Sequence, residues 1–137
     1  MVPSSDLVVA VADDSEMLQV LWQGWFQSFY GIELAMVAED GAELVAWLDG
    51  QLLDLAVVDQ SVAGEGFSVI RQLRELAPAA VLVVISGAID EAGAIRAGAD
   101  LALDKADGPS VLEAAMELAS ERRSALERAD EEGSERG

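Results

Sequence analysis

The stretch LVVAVADD, residues 7–14, is an apolar run that ends abruptly in two aspartates. Three more apolar runs end in polar residues: LAVVD at 55–59, VLVVIS at 81–86 and LALDK at 101–105. Their length is that of strands, and their lack of apolar–polar alternation is typical of strands buried on both faces of a parallel sheet. Because the carboxyl ends of parallel strands lie at one edge, we expect the polar residues that end these runs to lie together.

The segments between these runs have the period of helices. Ser15 is a suitable N-cap for a first helix that reaches about Phe29. The other predicted elements are, in chain order, a strand at Ile32–Ala38, a helix at Ala42–Leu48, a strand at Leu53–Val58, a helix at Phe67–Leu76, a strand at Ala80–Ile85, a short helix at Asp90–Ala97, a strand at Leu101–Asp104 and a helix at Ser110–Leu126. This alternation predicts the α/β class: a doubly wound, flavodoxin-like five-stranded parallel sheet with helices on both faces and a short fourth helix.

The composition is that of one folded domain. The chain has 137 residues, 52% of them hydrophobic, which is enough for a core. We expect the domain to span residues 6–127 and residues 128–137 to form an acidic flexible tail. No apolar run approaches the ~18 residues of a membrane span, and the N-terminus lacks the basic segment of a secretory signal. We therefore expect a cytoplasmic protein.

Cysteine and histidine are both absent from the chain. Their absence excludes thiol catalysis, disulfides, the usual zinc sites and histidine acid–base chemistry. The metal ligands that remain are hard oxygen atoms, which suit Mg²⁺ or Ca²⁺. The net charge of −18, from 26 acidic and 8 basic residues, argues against direct binding of nucleic acid and against an anionic membrane as a partner.

The carboxylates after the predicted strands form a candidate site for magnesium and phosphate. Asp59 is the candidate nucleophile, since a carboxylate can take a phosphoryl group and form an acyl phosphate. Asp14 and Asp59 are the candidate direct ligands of Mg²⁺, and Asp13 is expected to act through water. The backbone carbonyl of Ser61 is a further candidate ligand.

Lys105 is the only lysine of the chain, and Ser86 ends the fourth predicted strand. The compact charge of Lys105 suits phosphate oxygens, and the Ser86 hydroxyl can donate to a phosphoryl oxygen. Without metal, Lys105 is expected to pair with Asp59 and to offset part of the repulsion among the three acids. We expect the repulsion to dominate, so that Asp59→Asn would stabilise the metal-free protein.

Two helices carry expectations of their own. The first is expected to turn one stripe toward the sheet, made of Leu18, Leu21, Trp22, Trp25 and Phe29. Phe26 and Tyr30 are then expected to be partly exposed. In the last helix, Arg122 and Arg123 are expected on a solvated face.

Four motifs in this order resemble the receiver domain of bacterial two-component response regulators: VVAVADDS, LAVVDQS, VLVVISGA and GADLALDK. The resemblance covers about residues 6–127. It implies that Asp59 accepts a phosphoryl group from a sensor histidine kinase or a phosphotransfer protein, with Mg²⁺ as cofactor. It also implies a protein that catalyses only its own phosphorylation and dephosphorylation, so it is not an enzyme on an external substrate. We expect a stand-alone receiver that signals through protein–protein contacts.

The chain departs from the family pattern on the side where receivers usually signal. Ala106 stands where the family usually has a proline after the lysine, and we expect a trans peptide bond there because a cis bond without proline costs ~3–4 kcal/mol. Ala102 stands at the usual position of an aromatic switch residue. Val62 and Ala63 replace the usual Met-Pro pair after Asp59. These departures spare the acids, so we expect the chemistry to be retained and the readout to be altered.

Two alternative functions remain open. The first is a phosphorylation-independent interaction module on the same fold, a pseudo-receiver, which the altered switch region favours. The second is a small Mg²⁺-dependent phosphatase with Asp59 as its nucleophile. Against it, Ser61 stands where such an enzyme needs a second general acid, two residues after the nucleophile.

Overall fold

The structure, a computed structural model, describes residues 6–87, 90–107 and 112–136. Its strands are β1 (Leu7–Ala12), β2 (Ile32–Ala38), β3 (Leu55–Asp59), β4 (Val81–Ser86) and β5 (Leu101–Asp104). Its helices are α1 (Glu16–Gln27), α2 (Gly41–Leu48), α3 (Ser68–Leu76), α4 (Glu91–Ala97) and α5 (Leu112–Arg136). None of the described helices is long and apolar enough to cross a membrane.

The strands form one parallel sheet in the order β2-β1-β3-β4-β5, which confirms the predicted α/β fold. The chain runs outward from β1 to β2 and then returns to the other side of β1 as β3, so the order reverses beside β1. The register pairs Ala12 with Val58, Asp59 with Ile85, and Ser86 with Asp104. The polar ends of these strands therefore lie side by side at the carboxyl edge.

Each face of the sheet has its own apolar layer. In β3, Leu55 and Val57 face the layer that includes Phe26 of α1 and Leu112 of α5. The alternate residues of the same strand belong to the opposite layer, with side chains of α2, α3 and α4. Helices cover both faces, so β3 and β4 are buried along their whole length. This explains why their sequences are apolar without alternation.

Helix α1 is rotated relative to the predicted stripe. Phe26, which we expected to be partly exposed, is fully buried, whereas Leu21 is 59% exposed. The two residues are five positions apart, about 140° around a helix, so they cannot share a face. The ring of Phe26 offers more apolar area and packs edge-on against Trp25, with 5.0 Å between ring centroids, so it takes the core position. The expectation for Tyr30, which is fully exposed, is confirmed, and so is the Ser15 cap.

Helix α5 is longer than predicted. We expected it to end at Leu126 and to be followed by a tail, but the backbone is helical as far as Arg136. The added segment is rich in Glu and Arg, which favour helices, and Arg123 pairs with Glu127 one turn later at 3.5 Å. The predicted start at Ser110 lies outside the described residues. The domain limits 6–127 stay a prediction.

Helix α4 has seven residues, so the predicted short fourth helix is confirmed. Its glycine is closely packed: a Cβ atom at Gly93 would lie 2.2 Å from Asp90 Oδ2 and 3.1 Å from Phe67 Cε2, so a larger residue there would displace the Asp90 side chain. Among the described peptide bonds none is cis, so the bond between Lys105 and Ala106 is trans, as predicted. The loop between Asp59 and α3 forms two short 3₁₀ turns, Gln60–Val62 and Glu65–Phe67.

Two aspartates at the opposite, amino-terminal edge of the sheet bind arginines. Asp100 contacts Arg74 of α3 at 2.7 Å and Arg122 of α5 at 2.5 Å, and so joins helices from the two faces. Asp54 contacts Arg123 at 2.8 Å. The expectation that Arg122 and Arg123 belong to a solvated face is therefore wrong. Their long side chains reach past the helix to the sheet edge.

The carboxyl group of Asp100 is held in its ionised form. Burial alone would raise its pKa, but hydrogen bonds from Arg122, from the backbone of Leu82 and from Arg74 outweigh burial and lower the pKa. A group whose pKa is lower in the folded state stabilises the fold above its unfolded pKa of about 4. This contribution is lost as the pH falls through the folded pKa.

Asp100→Asn is expected to lower the free energy of unfolding by about 2 kcal/mol at neutral pH, because both guanidinium groups lose a charged partner. The measurement is urea denaturation followed by circular dichroism. The difference in the free energy of unfolding between Asp100→Asn and wild type should narrow as the pH falls from about 5 toward 3. Glu117→Gln, at an exposed acid of α5, is the control and should be nearly neutral. Equal effects of the two variants would contradict the role of Asp100.

Candidate functional site

Three carboxylates meet at the carboxyl edge of the sheet. Asp13 and Asp14 follow β1, Asp59 ends β3, and one oxygen of each lies within 4.8 Å of the others. Asp13 and Asp59 are buried, whereas Asp14 is exposed. The sequence predicted this grouping, and the structure brings all three together. Carboxylate oxygens at this spacing are the donors that hard divalent cations prefer.

Asp59 has a donor on each of its oxygens. Its Oδ1 lies 2.6 Å from Lys105 Nζ. Its Oδ2 accepts the backbone N–H of Ser61 at 2.9 Å and the Ser61 hydroxyl at 2.6 Å. The carboxylate is 7% exposed and the lysine side chain 40% exposed, so the pair lies at the mouth of the site with the cation outermost. The predicted ion pair of Lys105 with Asp59 is therefore present.

These donors keep Asp59 ionised. Burial alone would raise its pKa, but the hydrogen bonds from Lys105 and Ser61 outweigh burial and hold the pKa below its usual value. The hydrogen bond to Asp59 raises the pKa of Lys105, against the effect of burial, and the nearby charges of Asp59, Asp13 and Asp14 raise it further. Attraction thus outweighs repulsion at Asp59. This balance argues against the expectation that Asp59→Asn stabilises the metal-free protein, which stays a prediction.

The side chain of Ser61 has a role that the sequence did not predict. Its Oγ lies 2.6 Å from Asp59 Oδ2 and 3.0 Å from Asp14 Oδ1, so one hydroxyl is within hydrogen-bond distance of both candidate metal ligands and can donate its proton to either. The sequence suggested only the backbone carbonyl of Ser61, which stays a prediction. A serine two residues after an aspartate often hydrogen-bonds within a turn, and this was the available signal.

Asp13 is held by residues of α1 and its cap. Its Oδ1 accepts the backbone N–H of Ser15 at 3.0 Å, and its Oδ2 accepts the indole N–H of Trp22 at 3.3 Å. The side-chain amide of Gln19 donates to the backbone carbonyl of Asp13 at 2.8 Å. Sequence reasoning assigned Trp22 to the core alone and missed this contact.

Ser86 and Ala102 lie on the neighbouring strands. Ser86 is 9% exposed and follows Ile85, which pairs with Asp59, so it belongs to the same edge. Ala102 is partly buried against the apolar layer on the side of α2, α3 and α4. Its methyl group leaves β5 without a ring at the position where the sequence noted the missing aromatic side chain.

The chain is similar to known proteins in both sequence and fold. The family model for the response regulator receiver domain matches residues 9–117. No curated protein matches the chain. The signal receiver domain of the response regulator NarL from Mycobacterium tuberculosis is 22% identical, with a TM-score of 0.74, over 85% of this chain and 98% of that one.

Two further solved structures are similar. A CheY-like response regulator receiver domain protein from Methanospirillum hungatei is 21% identical, with a TM-score of 0.73, over 88% of this chain and 99% of that one. A response regulator from Burkholderia pseudomallei, with a phosphorylated aspartic acid, a calcium ion and citrate, is 25% identical. Its TM-score is 0.69, and the similarity covers 88% of this chain and 73% of that one.

Lys105→Gln is expected to raise the pKa of Asp59, because burial then acts with only the Ser61 donors to oppose it. The measurement is a titration of the Asp59 carboxyl carbon by NMR in metal-free protein. The loss of stability at neutral pH should be small, under about 1 kcal/mol, since the lysine is partly exposed and screened. The difference in stability between the variant and wild type should shrink as the pH drops below about 4, because protonation of Asp59 removes the stabilisation by the ion pair in wild type as well.

The matched control for this variant is Arg128→Gln, which removes an exposed cation of α5. It should leave the pKa of Asp59 unchanged. An unchanged pKa in Lys105→Gln would contradict the account of how Asp59 stays ionised.

Proposed function

The chain belongs to the response regulator receiver domain family, and from that premise we propose that Asp59 accepts a phosphoryl group from a histidine kinase or phosphotransfer protein in a Mg²⁺-dependent reaction. The observation that carries the proposal is the arrangement around Asp59: an ionised carboxylate, 2.6 Å from the only lysine, within a cluster of three acids. A nucleophilic carboxylate needs its charge and that of the phosphoryl group offset by cations.

The donor set fits Mg²⁺. Asp14 and Asp59 would hold the ion directly, Asp13 would hold one of its waters, and the carbonyl of Ser61 would complete the protein's share. When bound, the ion would neutralise charge on the phosphoryl oxygens. The divalent ion and phosphorylated aspartic acid of the Burkholderia pseudomallei regulator support this assignment.

The transfer itself is a displacement at phosphorus. A carboxylate oxygen of Asp59 forms the new O–P bond while the bond from phosphorus to the donor breaks, and the donor leaves with that electron pair. Lys105 exchanges part of its contact with Asp59 for a phosphoryl oxygen, and the Ser86 hydroxyl donates to another. The protein acts only on itself: it gains the phosphoryl group and later loses it to water. Signalling would then follow through protein–protein contacts in the cytoplasm.

A second candidate function is an interaction module that does not depend on phosphorylation. The observation that favours it is Ala102, whose methyl group leaves β5 without a ring that could respond to a phosphoryl group near Ser86. In this case the acids would be retained without phosphoryl transfer, and partners would bind the same surface in every state of the site.

The test is incubation with a small acyl-phosphate donor and Mg²⁺, followed by intact mass measurement. Wild type should gain one phosphoryl group, which hydroxylamine removes and metal chelation prevents. Asp59→Asn should gain none. Asp104→Asn, at another acid that ends a strand, is the matched control and should be phosphorylated like wild type. No mass gain by folded wild type would favour the second candidate, and repeated turnover of a phosphate ester would instead indicate a phosphatase.

A further inference from the structure

We propose that Trp22 is a positioning residue for the acidic cluster: its indole N–H orients the carboxylate of Asp13 for the cation and links the state of that site to helix α1. The proposal rests on the metal site of the proposed function. It starts from one contact, the hydrogen bond from Trp22 Nε1 to Asp13 Oδ2 at 3.3 Å.

The orientation of the Asp13 carboxylate is fixed by two donors. The backbone of Ser15 binds Oδ1 at 3.0 Å and the indole of Trp22 binds Oδ2. The residue is 1% exposed, so bulk water cannot replace either donor freely. Each carboxylate oxygen can accept about two hydrogen bonds, so each keeps capacity for a water of the metal ion. Partners of this kind orient a metal-binding group without touching the ion.

Trp22 is itself held in place. Its ring lies 6.4 Å, centroid to centroid, from that of Phe26, which is fully buried in the layer beneath α1. One turn earlier, the side chain of Gln19 binds the backbone carbonyl of Asp13 at 2.8 Å. Helix α1 therefore contacts Asp13 through two side chains on the same face. A shift of the Asp13 carboxylate must change the surroundings of the indole group.

Trp25 provides the contrast. It lies on the same helix, is also partly buried, and packs its ring against Phe26 and Phe29 with centroids 5.0 and 4.8 Å away. Within the described part of the chain its indole makes no hydrogen bond to the acidic cluster. The two tryptophans thus share a helix and a core layer, and only Trp22 reaches Asp13. Replacing each with phenylalanine separates loss of the N–H contact from loss of ring volume.

The first measurement uses the indole ¹H–¹⁵N resonances of the three tryptophans, Trp22, Trp25 and Trp47. Each resonance is assigned by its Trp→Phe variant. Without metal, Asp13→Asn should shift the Trp22 resonance and leave the other two nearly unchanged. In wild type, Mg²⁺ should shift the Trp22 resonance most. A Trp22 resonance that responds to neither change, or no more than that of Trp25, would overturn the proposal.

The second measurement is Mg²⁺ affinity by calorimetry. Trp22→Phe should weaken binding by about ten-fold, the usual effect of losing a partner that orients a metal-binding group. Trp25→Phe should bind like wild type. Equal affinities in all three proteins would overturn the proposal, as would equal losses in the two variants, because the effect would then belong to ring packing.

These outcomes separate the inference from the proposed function. A wild type that takes up a phosphoryl group while Trp22→Phe keeps full Mg²⁺ affinity overturns the inference alone. A wild type that binds Mg²⁺ through an oriented Asp13 but takes up no phosphoryl group overturns the proposed function alone. Absence of Mg²⁺ binding by wild type would overturn the inference whatever the phosphorylation experiment gives.

Discussion

The ion pair between Lys105 and Asp59 is the contact on which the site depends. The parallel sheet brings three acids to one edge, where their mutual repulsion would oppose folding or protonate one of them. One lysine at 2.6 Å, aided by the two donors of Ser61, keeps the buried carboxylate ionised instead. In a chain of net charge −18 this cation is placed where it offsets the most concentrated negative charge that the structure describes.

Half of the basic residues of this chain form internal ion pairs. Of 8 basic residues, four contact carboxylates within the described structure, namely Arg74, Lys105, Arg122 and Arg123. The three arginines bind at the amino-terminal edge of the sheet and join helices from both faces there. The lysine lies at the carboxyl edge. Ion pairs between arginines and aspartates thus stabilise the amino-terminal edge of the sheet, whereas the carboxyl edge carries the three acids and the loops around them.

The sequence predicted the fold and the gathering of the acids because both follow from strand patterning. Buried parallel strands have an unambiguous apolar signal, and their carboxyl ends must lie together. The other features depend on how far side chains extend and on which residues compete for the same buried position. The apolar pattern of the sequence encodes neither. Leu21 and Phe26 both suited a buried face, and ring size decided between them. Whether the Arg122 side chain faces solvent or contacts Asp100 depends on the position of α5 over the sheet edge. The hydrogen bonds of the Ser61 hydroxyl and the Trp22 indole depend on side-chain rotamers and on distances between different segments of the chain.

The central claim is that the acidic edge with its single lysine is a phosphoryl site. A crystal structure with Mg²⁺ and beryllium fluoride, a mimic of the phosphoryl group, tests it most directly. The account predicts beryllium bound to a carboxylate oxygen of Asp59, fluorine atoms contacting Lys105 and Ser86, and a cation held by Asp14 and Asp59. An Asp59 that stays paired with Lys105, with neither beryllium nor a cation among the acids, would contradict it.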